Sequence, residues 1–553
     1  MITQPKLSGK PGQAPTADAP ARPQSTPPTL KECQASAEAP VTFVCESKNI
    51  PGVDPYPEHV ADLNRRQVLA GGLALGVATV LGGSPPALAS TDSRWADLRK
   101  LLPGRLIFPG DRGYAGLATP RNLRYAALMP KAVVECRDAG DIATAIACAR
   151  RTETPFALRG GGHNYADASS STGIIISTRR MKRASMRGTT LRAQAGVQNS
   201  DLARLLPQGG TGTLLLPGGT CPNVGVVGLT LGGGIGPNAP WAGLTADRLR
   251  AATMVTATGD IVSTSARENP DLFWGLRGAA GGNFGAVTDL EYELIQVAVS
   301  KATTFSLDYP ITAATETAMA WQQCRQVSQD VVGGAWSIVI DDTGPRARIR
   351  AQVLLPEADA RAYMGPLLAV PRTREEIVER SWWDTYAWYR TPISPSNTFW
   401  DRSLYVESDL GSSVIDRLVS QLTAYPDPIN GYGFLGISGW VGGRVRSVPA
   451  DQTAYVHRRA TALVEFSMGW PDPKDPRRWP TAVPPALRDW MTGLWEIVYS
   501  STTGESYQNF ADPGLSDPLA AYYGANLRRL IRVKRQWDPE DVFTYAQGIP
   551  ARP

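Results

Sequence analysis

Histidine is close to absent from this chain, with three residues in 553. Cysteine is sparse too, at six, and no pair of His or Cys stands at metal-ligand spacing, so no metal centre is expected. Basic charge is not concentrated anywhere. A net charge of +5 on this length, without a dense Lys/Arg tract, argues against a nucleic-acid partner. The apolar run Val68–Leu81 is about 14 residues, short of the roughly 20 that cross a bilayer, so no stable membrane insertion is expected. No internal repeat is visible. What remains is an ordinary globular composition, 42% hydrophobic and 19% charged, on a chain long enough for two lobes. Glycine is the exception. Its 54 residues cluster, which marks backbone that takes positive φ or comes very close to something.

Residues 1–60 are rich in Pro, Ala, Ser and Thr, have no apolar period, and read as a disordered extension. Residues 61–89 carry the three parts of an export signal: Arg65 and Arg66, the mild apolar run, and the small residues Ala87 to Ala89 for cleavage. The arginine pair resembles a twin-arginine signal, which implies a periplasmic or extracellular mature protein. Cleavage would remove Cys33, Cys45 and His59, leaving Cys136, Cys148, Cys221, Cys324, His163 and His457. Cys148 and Cys324 fall on the apolar sides of predicted helices and read as buried free thiols.

From about Lys131 short strands alternate with helical spacing. "KAVVECR", "PFALRGG", "TGIIIST" and "TLRAQAG" read as strands, "DIATAIACARR" as a helix, and Thr258, Gly259 and Asp260 as the turn of a hairpin. From about Lys301 the strands lengthen ("KATTFSLDY", "GAWSIVIDD", "ARIRAQVLL", "GYGFLGISGWVGGRVRSV", "ALVEFSMGW") and helices lie between them. The fold class is therefore α+β, with an N-terminal lobe over 95–300, a second lobe over 301–500, and a C-terminal segment over 501–553.

Two glycine clusters hold the rare reactive side chains. "LRGGGHNY" ends a strand in glycines and then presents His163. "TCPNVGVVGLTLGGGIG" sets Cys221 among glycines. Such loops expose several backbone N–H groups and can cradle phosphate without side chains. The dinucleotide fingerprint fails in both, since Pro237 and Pro240 stop any helix after the second cluster. Imidazole and thiolate both add readily to an electrophilic ring, so the pair suits a cofactor attached at two points.

Those two stretches, with "DLFWGLRGAAGGNFGAVT" and "YYGANLRRLIRVKRQWDPEDVF", resemble the berberine bridge enzyme-like FAD-linked oxidases of the vanillyl-alcohol oxidase superfamily, over about Arg121 to Pro550. The resemblance implies a two-lobe PCMH-type FAD-binding domain, completed by the C-terminal segment, with an inserted substrate domain of antiparallel sheet backed by helices. It implies FAD held covalently by His163 at the 8α-methyl carbon and, as in the bicovalent subgroup, by Cys221 at carbon 6. It also implies FAD contacts from Arg159, Gly160, Gly161, Gly162 and Asn164 in the first motif. In the second motif these are Val224, Gly225, Gly228, Gly232, Gly233 and Gly234, with Gly285 and Val287 in the third and Tyr507 and Asn509 near the C-terminus. Two covalent links raise a flavin's reduction potential and let the cleft stay open. That points to a bulky substrate such as an oligosaccharide or glycoside.

The family's base comes from a Tyr-x-Asn motif, here "SYQNF", with Tyr507 as base and Asn509 as its orienting neighbour. A free tyrosine has a pKa of about 10, so a cation, the flavin or a hydrogen-bond donor must lower it. Phe510 stands where the family commonly has a second tyrosine. Asp384 in "WWDTYAWY" is a candidate assisting acid. Trp382, Trp383, Tyr386, Trp388 and Tyr389 suit either stacking on sugar rings or core packing, core being the commoner role. The resemblance also implies that Val224 lies on the oxygen-reacting side of the flavin, where a small residue goes with access of molecular oxygen and release of hydrogen peroxide. Arg277 and Asp247 read as loop braces and His457 as structural. The expected function is oxidation of a carbohydrate alcohol by hydride transfer to nitrogen 5 of the flavin. The alternatives are a tailoring oxidase of a secondary metabolite, a dehydrogenase with another acceptor, and an inert flavin carrier.

Overall fold

The computed structural model describes residues 41–43 and 93–552, apart from 210–212, 328–329, 392–394, 428 and 472–481. The export segment and nearly all of the extension lie outside them. Within the extension, Val41–Phe43 forms a strand on Ala184–Arg187, where disorder was expected. Among the described residues no helix is long and apolar enough to cross a membrane.

The N-terminal lobe contains two sheets. One runs in the order Leu106–Ile107, Ala132–Glu135, Ile174–Ser177, Phe156–Arg159, and the last three are mutually parallel. Their crossover is the helix Ala139–Arg151. It starts at Asp138, whose side chain accepts from Asp141 N, and it buries Ile142, Ala145, Ile146 and Ala149 at helical spacing. The other sheet is antiparallel, in the order Val41–Phe43, Ala184–Arg187, Thr190–Gln194, Ala286–Glu293, Leu249–Val255, Ile261–Ser265. Its last two strands are the expected hairpin, and Gly259 turns it at φ 91°.

The second lobe is one seven-stranded antiparallel sheet, ordered Arg374–Ser381, Lys301–Pro310, Arg346–Val353, Val332–Ile340, Tyr432–Ser438, Ala462–Trp470, Thr398–Val406. The helices Ala314–Val327, Ser412–Thr423 and Pro485–Tyr499 cover one face. Pro485–Tyr499 buries Leu487, Trp490, Met491, Leu494 and Val498, one stripe at helical spacing. Each large apolar side chain there contributes roughly 2–3 kcal/mol. The strand expected over "GYGFLGISGWVGGRVRSV" is shorter than it reads. It ends at Ser438, and Gly442 and Gly443, both at positive φ, turn the chain into a single 3-10 turn.

Alternation along the strands decides what the other face offers. In Thr398–Val406 the even positions Trp400, Leu404 and Val406 enter the helix-backed core, and Asp401 points the other way. In Ala462–Trp470, Val464, Phe466 and Met468 go to the core while Glu465 and Ser467 face a cavity. The C-terminal segment returns to the first lobe. Its helix Leu527–Trp537 buries Leu530, Val533 and Lys534. Lys534 Nζ donates to Asn283 O at 2.9 Å and to Asp538 Oδ2 at 2.6 Å.

Candidate active site

The strand Phe156–Arg159 runs out into Gly160 to Gly162, and the loop after Cys221 runs into the helix Val226–Leu231. These two loops touch backbone to backbone. A Cβ on Gly161 would sit 2.3 Å from Gly225 N, and one on Gly225 would sit 2.6 Å from Gly161 N. Only glycine permits that approach, so at this contact the glycines make room for each other. The contact brings His163 and Cys221 to the wall of one cavity of about 330 Å³.

Of the expected cofactor contacts, Arg159, Gly160, Gly161, Gly162, Asn164, Val224, Gly225, Gly228, Gly285, Val287, Tyr507 and Asn509 also line that cavity. Gly232, Gly233 and Gly234 do not. They lie behind it, against the Asn509 side chain, the Tyr455 ring and Thr245 respectively. Arg159 lines the cavity but spends its donors elsewhere: Nη1 on Leu117 O and Ala118 O, and Nε on Ser169 O. Burial lowers its pKa to about 10.

His163 is held neutral, its pKa lowered to about 4 chiefly by burial and then by the Arg121 charge. Burial also pushes the Cys221 thiol up, against hydrogen bonds from Thr391 and Thr220. Tyr507 is 1% exposed. Its hydroxyl oxygen accepts from Gly234 N at 3.2 Å, Ile235 N at 3.4 Å and Asn509 Nδ2 at 3.0 Å. The same Asn509 amide donates to Leu229 O at 3.1 Å, which fixes its orientation. Burial raises the Tyr507 pKa above its usual value, and these three donors work against it. Of the three expected means of lowering it, a cation, the flavin or a hydrogen-bond donor, the described residues supply the donors.

A second cavity, of about 460 Å³, shares His163, Tyr165, Cys221 and Glu465 with the first. Arg121, Asp401, Tyr432 and Phe434 are among its other walls. Tyr165 stacks on Phe510, with ring centroids 5.1 Å apart. None of Arg121, Tyr165, Asp401, Tyr432 or Glu465 was singled out by sequence reasoning. The available signal was a lone acid in each of two apolar strands, "TFWDRSLYV" and "ALVEFSMGW".

Comparison with known proteins agrees with this geometry. The family described as "FAD binding domain" matches residues 130–265, and "Berberine and berberine like" matches 506–550. The chain is 30% identical over 464 residues to the uncharacterized FAD-linked oxidoreductase YgaK of Bacillus subtilis (strain 168), covering 81% of this chain and 97% of that one. The chain belongs to the berberine bridge enzyme-like FAD-linked oxidoreductases. This flavoprotein is also 27% identical to the xylooligosaccharide oxidase of Thermothelomyces thermophilus, across 76% of this chain and 87% of that one. A solved structure of the glucooligosaccharide oxidase from Acremonium strictum, described as carrying 6-S-cysteinyl, 8α-N1-histidyl FAD, superposes with a TM-score of 0.71. It is 23% identical and covers 83% of this chain and 99% of that one.

The cavity fits FAD on its own terms. Gly228 faces open space on its wall, with nothing within 4 Å of where a Cβ would be. Thr178 Oγ1 and Gln508 Oε1 are buried in that wall without partners among the described residues. The other nominated side chains of this flavoprotein lie elsewhere. Asp384 is exposed and caps the helix Trp382–Tyr389 with Ser381. Neither cavity is lined by Trp382, Trp383, Tyr386, Trp388 or Tyr389. Trp382 is buried against Trp241, and Tyr389 OH donates to Gly333 O. Asp247 pairs with buried Arg458 at 2.7 Å, Arg277 donates to Gln452 O, and His457 Nδ1 lies 2.8 Å from Glu505. Cys136 and Cys324 are buried free thiols, and Cys148 is buried as well.

Proposed function

We propose that this protein is an exported oxidase with doubly attached FAD. It oxidises a hydroxyl of a carbohydrate or glycoside and passes the electrons to molecular oxygen, releasing hydrogen peroxide. The observation that carries the reading is the meeting of a neutral imidazole, a thiol and a buried, triply hydrogen-bonded phenol on one cavity wall. His163 would hold the flavin at its 8α-methyl carbon and Cys221 at carbon 6. When bound, the flavin supplies the two-electron acceptor at its ring nitrogen 5.

Tyr507 takes the proton of the substrate hydroxyl. Its oxygen receives three N–H donors, and the residue lines the cavity that the substrate hydroxyl would enter. Once the proton is gone, the same three donors stabilise the phenolate. Because burial raises this pKa, the base form grows as pH rises. The rate therefore climbs through the alkaline range, and Tyr507→Phe loses that limb. Val224 lines the cavity, and its small side chain supports access of oxygen. Arg65 and Arg66 with the apolar run that follows support export.

The test is denaturation of purified protein followed by peptide mass spectrometry, with hydrogen peroxide measured against a panel of oligosaccharides. Flavin should stay on the peptides of His163 and Cys221. Either His163→Ala or Cys221→Ala alone should leave one link, and losing both should leave dissociable flavin. Flavin released from the denatured wild type, or an absence of peroxide with every sugar, would end the reading.

A further inference from the structure

The sheet face that closes the cavity carries two acids that the chemistry above does not use. Thr398–Val406 and Ala462–Trp470 pair with Asp401 opposite Ser467 and Ser403 opposite Glu465. Alternate strand residues share a face, so these four side chains form one block with the carboxyls on its diagonal, within side-chain reach. Asp401, Glu465 and Ser467 all line the second cavity, and Glu465 lines the first as well. Asp401 is 6% exposed, and its Oδ1 has no hydrogen-bond partner among the described residues. Its hydrogen bond comes from Ser467. A buried carboxylate oxygen left bare on a cavity wall is costly unless it holds a proton or meets a ligand.

The surroundings leave the proton to this pair. Arg121 is the cation that acts on Asp401, yet its guanidinium donates to Pro395 O at 3.0 Å and to the Asn397 side chain. Asp341 is tied to Arg346, and Asp512 to Arg402. Burial keeps the Tyr165 and Tyr432 phenols and the Cys221 thiol protonated, and a thioether at Cys221 would not titrate at all. His163 is neutral. Burial pushes both carboxyls up, and the Asp401 charge pushes Glu465 further. Two such neighbours do not both ionise readily, so one retained proton is the low-cost state near neutrality.

We propose that Asp401 and Glu465 hold one proton between them and use it to bind two neighbouring hydroxyls of an uncharged sugar ring, one carboxyl donating and the other accepting. A hydroxyl both donates and accepts, so a pair of them complements one acid and one carboxylate. A carboxylate-bearing substrate instead meets a wall that is already negative. The sugar half of this assignment rests on the carbohydrate reading above. The shared proton does not: it stands on the placement of the two carboxyls and their burial.

The experiment uses flavin-loaded wild type, Asp401→Asn, Glu465→Gln and the conservative Glu465→Asp, with retained covalent flavin as the check on folding. Infrared difference spectroscopy reads the C=O stretch of a protonated carboxylic acid across pH, and steady-state kinetics with xylobiose reads KM and kcat. Near neutral pH the wild type shows the band and loses it on going alkaline. Each amide variant removes the band or moves its loss to lower pH. Each also raises KM for xylobiose roughly tenfold, the loss of one charge-assisted hydrogen bond, with a smaller change in kcat. Glu465→Asp restores the band. Absence of the band near neutrality, or a titration midpoint unmoved in both amide variants, overturns the shared proton even if sugars are oxidised. A band that behaves as expected in a protein that oxidises no sugar keeps the proton and overturns its sugar ligand.

Discussion

The cavity is enclosed by two kinds of wall. On the glycine side, backbone packs on backbone at Gly161 and Gly225, and a single added carbon has nowhere to go. On the sheet side, side chains project from alternate strand positions, so shape is tolerant while charge and protonation are not. The first wall holds a cofactor by excluding side chains. The second selects what approaches that cofactor by placing them.

The sharpest break of this contrast falls where the walls meet the chemistry. Tyr507→Phe should lower kcat by about 10²- to 10⁴-fold at unchanged flavin content, read by steady-state kinetics and absorbance. A loss under tenfold would remove Tyr507 as base. Asp512→Ala should cost about 3–5 kcal/mol in denaturant unfolding. Asp512 is fully buried, and its removal strands Arg402, a sheet residue that is 5% exposed. Gly161→Ala should cost about 3 kcal/mol by overpacking. Gly228→Ala should leave stability within about 1 kcal/mol while reducing flavin loading, since its Cβ would point into open cavity space. Equal losses of stability in the two glycine variants would erase the distinction drawn for the first wall. Smallest of all, Asp384→Asn should change stability by under about 0.5 kcal/mol and leave kinetics alone, because this acid sits on an exposed helix cap.

The glycine wall was legible in the sequence because its signal is local. His163 and Cys221 stand beside the glycines that position them, and Tyr507 and Asn509 share one short motif. The sheet wall was not. "ALVEFSMGW" reads as a strand, but which neighbour faces Glu465 depends on a register set by residues sixty positions away in Thr398–Val406. Asp384 drew attention because aromatics surround it. Trp382, Trp383 and Tyr386 serve the core, as Trp382 does against Trp241. The Tyr507 environment was half visible: a hydrogen-bond donor was one of three expected means of lowering its pKa, and beside Asn509 of the motif the donors are Gly234 and Ile235 backbone amides that no side-chain pattern announces. Gly234 thus matters from behind the cavity, through its N–H.

The C-terminal segment supplies Tyr522, Tyr523, Phe543, Tyr545 and Gln547 to a cavity that is also lined by the chain from Phe156 to Ser169. Asn283 reaches Tyr545 across 262 positions, and Lys534 is sealed beneath both. The strap that shuts the flavin chamber is therefore translated after every other part of the chamber's lining. A nascent chain has no finished seat for its cofactor. Loading has to wait for that segment, and a stop codon ahead of Tyr507 should yield a colourless protein however well its first lobe folds.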